Sequence, residues 1–185
     1  MMNRRTTAGM SLFECLVYVA ILGVVINLSM SIFMSSSRMS TLATVALDRV
    51  NMTEDVRHAF TRAVHEAEGV ASEAGSYKTG PEQLVLAYPP TPESDGWRRY
   101  VVFGRIAPSA GLGRLDILEK AGEVVIDGLV KYPLPVSKLD LSYDADSPDA
   151  ARLVTLQVDV QMGSSRDVRP PKTHRFAASL RGGTR

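Results

Sequence analysis

Glu14 is the residue whose placement calls for a chemical explanation. It lies five residues past Gly9, and the next charged side chain is Arg38. Positions 15–37 between them read CLVYVAILGVVINLSMSIFMSSS. A carboxylate in hydrocarbon is costly unless it is paired or neutralised. It can snorkel to the headgroup region, or it can meet a cation. Four further acids, Asp140, Asp144, Asp146 and Asp149, cluster in LDLSYDADSPDA. Oxygen ligands in a turn suit calcium, so Asp140, Asp144 and Asp146 are calcium candidates. Their spacing does not fit an EF-hand, and Pro148 marks an ordinary solvated turn.

The remaining reactive types form no recognisable constellation. His58 and His65 are two helical turns apart, about 10 Å, too far to share one metal without other ligands. Glu54 and His58 form an i,i+4 pair. The third histidine is His174. The lone cysteine, Cys15, lies in the apolar run, where a thiol behaves as a small hydrophobe. No serine, histidine and acid arrangement is legible, so the chain is read as no enzyme and as needing no cofactor. Arginines gather at Arg98, Arg99 and Arg105, and with Lys172 at Arg166, Arg169, Arg175 and Arg181. Such groups can bind phosphates. Acids nearly balance bases, the net charge is +1, and no aromatic series accompanies the arginines. These observations argue for a solvated face over a nucleic-acid surface.

The elements that position Glu14 are set out along the chain. Residues 1–9 hold Arg4 and Arg5 and no acid, which favours a cytoplasmic N-terminus. The uncharged run is about 35 Å long as a helix, enough for a bilayer core of about 30 Å. A secretory signal cut near Ser35–Ser37, or a plain uncleaved anchor, are the competing readings. From Arg38 to Gly69 apolar residues recur at spacings of mostly three and four: Leu42, Val45, Ala46, Val50, Val56, Phe60, Ala63, Val64 and Ala67. No proline precedes Pro81, so one helix is expected over residues 10–69. Gly69, Gly75 and Gly80-Pro81 are its stop signals.

After Gly80 the period becomes two. Strands are expected at 83–88, 98–106, 113–118, 123–130, 138–143, 152–162 and 174–180. In the sixth, Val154, Leu156, Val158, Val160 and Met162 face one way. Short proline-rich breaks suit antiparallel pairing. A sheet with one apolar face needs a cover, and the striped helix half is the helical candidate. The fold class is therefore α+β.

At Gly9–Val25 the chain resembles a type IV pilin or type II secretion pseudopilin. The residues that carry the likeness are Arg4-Arg5, Gly9, Met10, Ser11, Leu12, Phe13 and Glu14, followed by CLVYVAILGVV. The resemblance implies a pilin-like fold and cleavage between Gly9 and Met10 by prepilin peptidase. It also implies N-methylation of Met10 and retention of the apolar helix as anchor and filament core. It gives Glu14 an assembly role, pairing with the terminal amine of a neighbouring subunit. Met10 replaces the commoner Phe, and the mid-helix proline of many pilins is missing. The later pattern is similar to J-type minor pseudopilins and to PilW-like minor pilins.

The expected layout is a leader at 1–9, a membrane and assembly helix at 10–37, and a periplasmic domain at 38–185. The domain comprises a helix half at 38–69 and a β-rich part at 82–181. The expected function is a structural minor subunit of a pseudopilus or pilus. Its expected partners are prepilin peptidase, other pilins and the inner membrane. The alternatives are an anchored binding subunit for DNA or a secretion substrate, or a periplasmic enzyme on a signal anchor.

Overall fold

A computed structural model describes residues 11–90, 95–106, 111–161 and 170–181. Among the described residues one long helix, α1 (Leu12–Glu66), is followed by ten strands, an α+β layout with antiparallel sheets. The chain divides into two units, Met1–Leu47 and Asp48–Arg185.

In the first unit every described side chain is exposed. Leu12–Glu66 contains a stretch long and apolar enough to cross a membrane. A helix suits such a stretch because all its backbone groups bond within the segment. The polar stretch after it is also self-satisfied. Thr41 Oγ1 donates to the Ser37 carbonyl and Thr44 Oγ1 to the Ser40 carbonyl, each at 3.0 Å.

In the second unit α1 ends earlier than the stop signals implied. The Ala67 N–H closes the last turn on the Val64 carbonyl, and the Glu68 N–H already donates to Ala87 at 2.8 Å. Gly69 is therefore not a helix terminator. It opens strand β1 (Gly69–Val70), in register with Ala87. Two more short strands follow, β2 (Glu73–Ala74) and β3 (Tyr77–Lys78), a hairpin turning at Gly75 with φ +59°. The next four strands are β4 (Gln83–Ala87), β5 (Arg98–Arg105), β6 (Leu112–Lys120) and β7 (Glu123–Lys131). They complete a five-stranded sheet in the order β1-β4-β5-β6-β7. The β6–β7 turn places Ala121 and Gly122 at φ +51° and +86°. Positive φ at both central residues matches the twist of a two-residue hairpin.

The last strands, β8 (Val136–Tyr143), β9 (Leu153–Val160) and β10 (Lys172–Ser179), form a second antiparallel sheet in the order β10-β9-β8. A 3-10 turn at Pro148–Ala150 lies between β8 and β9. Val154, Leu156, Val158 and Val160 are fully buried, as the alternation requires. Met162 lies outside the described residues.

The principal core joins α1 to the inner faces of both sheets. Val56, Phe60, Ala63 and Val64 meet Leu84, Leu86, Val101 and Phe103, and Leu139, Leu141, Leu156 and Phe176. The Phe60 and Phe103 rings meet edge to face at 5.6 Å. Two expectations are corrected here. The packed helix face begins at Met52 and Thr53, not at residue 38: Leu42, Val45 and Val50 are 53%, 40% and 50% exposed. The five-stranded sheet also has two apolar faces. Ala74, Val85, Val102, Leu115 and Ile117 form a second, smaller core on its far side, against Tyr77 and Tyr100. The β2–β3 hairpin contributes Ala74 and Tyr77 to it. That hairpin comes from a segment whose two-residue strands are too short to show a period.

Candidate functional site

The start of α1 carries the chemistry. Ser11 precedes the helix and Glu14 lies in its first turn. The Ser11 N–H donates to Glu14 Oε2 at 2.9 Å, and the Glu14 N–H donates to Ser11 Oγ at 3.2 Å. This is a reciprocal capping box. It satisfies two amides that a helix start otherwise leaves without partners. It also gives the carboxylate a local donor and sets it against the positive end of the helix dipole. Ser11 entered the sequence reading only as part of the N-terminal pattern. The S-x-x-E spacing of Ser11 to Glu14 was the available signal for its capping role. Gly9 and Met10 lie outside the described residues. Cys15 is exposed on the next residue of the helix.

The aspartates are dispersed. Asp140 is in β8, in register with Gln157 of β9. Asp144 Oδ1 accepts the Arg152 N–H at 2.8 Å and the Leu153 N–H at 3.0 Å, which hold its carboxyl below the usual range. Asp144 thus ties the ends of the β8–β9 connection together. Asp146 and Asp149 are exposed. Among the described residues no group of three histidine, cysteine or acidic side chains is placed to hold a metal.

The histidines are equally separate. His58 is exposed, with Nε2 3.4 Å from Arg57 Nη2, and His65 is exposed in the last turn of α1. His174 stacks on Phe176 with centroids 6.3 Å apart. It lines a cleft of about 200 Å³ with Arg49, Val50, Thr53, Glu54 and Lys172. Burial and then Lys172 lower its pKa, against an opposing pull from Glu54.

The basic residues do not gather either. Arg98 and Arg105 stand at opposite ends of β5, about 23 Å apart at strand rise. Arg105 pairs with Glu82 at 3.5 Å. Arg99 donates to Asp116 at 3.3 Å and lies 5.1 Å from the Tyr88 ring centre. Lys172, Arg175 and Arg181 are exposed, and Arg166 and Arg169 lie outside the described residues.

A polar cluster that the sequence reading missed lies on the helix-facing side of the sheet. Arg114 and Asp116 of β6 pair at 2.9 Å, with side chains 19% and 16% exposed. Tyr88 and Tyr132 lie near enough to feel their charges. The Tyr88 hydroxyl donates to the Ala63 carbonyl of α1 at 2.9 Å. Burial pushes its pKa up to about 12 despite Arg114. The Tyr88 bond ties the last turns of α1 to the residue that follows β4. The basis of a sequence signal was Arg114 and Asp116 two apart on one strand face.

Comparison with protein-family models, curated proteins and solved structures finds no match for this chain.

Proposed function

We propose that the chain is a minor pseudopilin or pilin-like subunit with a pilin-like fold, cut between Gly9 and Met10 by prepilin peptidase and methylated on Met10. It is held in the inner membrane by the apolar helix, N-terminus in the cytoplasm, until it joins a short filament of related subunits. The observation that carries the reading is Glu14 at the first turn of a membrane-grade helix, five residues after Gly9 and behind a basic leader. The helix-then-antiparallel-sheet order supports it.

The capping geometry gives the mechanism a physical starting state. In the free chain the Glu14 carboxylate is held by the Ser11 amide at 2.9 Å. One neutral donor leaves most of a carboxylate's acceptor capacity open. The ammonium of a docked neighbour, freed by cleavage, offers a charge-assisted bond that is stronger than the neutral one. Docking then supplies a partner for a charge near hydrocarbon and fixes the axial register. The second unit is carried along on the same helix. Glu14→Val tests this: incorporation into filaments should fall at least tenfold while the precursor still reaches the membrane. Normal incorporation of that variant removes the pairing role.

A further inference from the structure

Asn27 is the one carboxamide in the apolar run of α1. Positions 15–37 are uncharged and their middle is residue 26, so Asn27 lies about 1.5 Å along the helix from mid-span. Its side chain is exposed and makes no hydrogen bond among the described residues. The serine hydroxyls of the run can turn back to the carbonyl four residues earlier. The Asn27 carboxamide needs more, because it carries two N–H donors and a carbonyl acceptor. In mid-helix every backbone N–H is engaged within the segment, and the bilayer core supplies neither water nor another donor. The amide oxygen therefore takes its donor from another chain.

The surface around Asn27 is shaped for a close approach. Gly23 and Ser31 lie one turn before and one turn after it, on the same row of the helix. A Cβ at Gly23 would meet nothing within 4 Å. The chain's own packing thus has no need of glycine there, although glycine weakens a helix relative to alanine. Two open hollows of about 410 Å³ each share Gly23 and Asn27, one bounded further by Ala20 and Val24 and the other by Met30 and Ser31. Small residues on such a row let a second helix backbone come near, and asparagine bonds across the contact. The nearest charges are Arg38 and Glu14, 11 and 13 positions away, so neither opposes contact at this level.

We infer that Asn27 is the centre of a parallel two-helix contact between two copies of this chain in the membrane, the Asn27 amide N–H of each donating to the Asn27 carbonyl oxygen of the other. Depth selects the occupant. Copies that insert in one direction carry Asn27 at one depth, and a carboxamide is its own complement in donors and acceptors. A two-fold axis along the membrane normal makes the two bonds equivalent. A span of another sequence would need its own polar group at mid-depth, which a second copy always has. Under the same symmetry Gly23 meets Gly23 of the second copy, where larger side chains would hold the helices apart. The contact rests on α1 spanning a membrane, and not on cleavage or entry into a filament.

The test labels the full chain at Cys15 with a donor or an acceptor dye and reconstitutes the two together in phosphatidylcholine vesicles. Cys15 is exposed and 12 positions from Asn27, so the label lies outside the contact. Energy transfer should exceed that of random mixing at the same ratio of chain to lipid, and should fall on dilution with lipid. Asn27→Leu should weaken the association about fivefold, and Asn27→Gln, which keeps the amide, should stay within about twofold. Gly23→Ile should also weaken it about fivefold. Val25→Leu, on the opposite side of the helix, should leave it unchanged. Leucine and isoleucine make the span more apolar, so neither loss can come from failed insertion. Transfer at the random level from the unsubstituted chain would overturn the contact, as would Asn27→Leu or Gly23→Ile at the unsubstituted level. Release of the unsubstituted chain from the vesicles by alkaline carbonate would instead overturn the membrane span itself, and the contact with it.

Discussion

Ser11 and Glu14 hold each other at the start of α1: the Ser11 amide donates to the Glu14 carboxylate at 2.9 Å, and the Glu14 amide donates to the Ser11 hydroxyl at 3.2 Å. The same carboxylate that the filament reading needs for a neighbour is thus occupied locally first. The two roles separate by substitution. Ser11→Ala removes the hydroxyl cap, and loss of such a cap costs about 0.5–2 kcal/mol of local helix stability. Amide hydrogen exchange of the full chain in micelles should speed up at Glu14 and its neighbours. Filament incorporation should stay within about twofold, because Glu14 keeps its charge. A Ser11→Ala chain that loses incorporation as fully as Glu14→Val would mean the cap, not the charge, is what assembly requires.

Phe60 is fully buried and meets Phe103 edge to face at 5.6 Å. Phe60→Ala should destabilise the second unit by about 3–5 kcal/mol, the usual cost of an aromatic-to-alanine change in a core. Urea unfolding followed by Trp97 fluorescence reads this. A loss under 1 kcal/mol would mean that α1 does not cover the sheet as described.

Gly104 sits in β5 at φ +141°, and a Cβ there would overlap the Glu82 carbonyl. Gly104→Ala should therefore cost more than about 2 kcal/mol, through backbone displacement and an unfavourable φ. Gly80, with open space around its missing Cβ and no positive φ, serves as the control. Gly80→Ala should be nearly neutral in the same unfolding assay.

Tyr88 and Tyr143 both have phenol pKa values raised to about 12 by burial, and Tyr132 is raised as well. Folding favours the neutral phenols. Tyrosines in the unfolded chain ionise near about 10. The stabilisation is complete below that pH and is lost as pH rises from about 10 through 12. Melting temperature should hold to about pH 9.5 and then fall, with phenolate absorbance rising in step. Tyr88→Phe should lose about 1 kcal/mol at pH 7, for the bond to Ala63, and should soften the alkaline decline. An unchanged melting temperature from pH 9 to 12 would contradict the burial of these hydroxyls.

What the sequence revealed and what it hid follow from the range of the forces involved. Periodic burial is a local signal, so the seven longer strands and the apolar helix could be read directly. Val154 to Val160 is the plainest case. The β2–β3 hairpin could not be read, because a two-residue strand has no period and its place depends on covering Val85 and Val102. For the same reason QLVLAY did not disclose that both faces of β4 are buried. The apolar positions Leu42, Val45 and Val50 look like those at Val56 and Phe60, but pattern alone cannot say where a covering sheet begins. At the site, Glu14 stood out by charge in an apolar run. Its capping partner Ser11 is an ordinary small polar residue, visible only through the S-x-x-E spacing. The Arg114–Asp116 pair was masked because alternating charges usually mark a solvated strand face.

The most direct measurement is the N-terminal mass of the chain extracted from a bacterial membrane that contains prepilin peptidase. The account predicts a chain that begins at Met10 with a methylated amine and retains the whole apolar run. Gly9→Val should leave the leader attached under the same conditions. An intact Met1, or a chain cut near Ser37, would contradict the account at its central point.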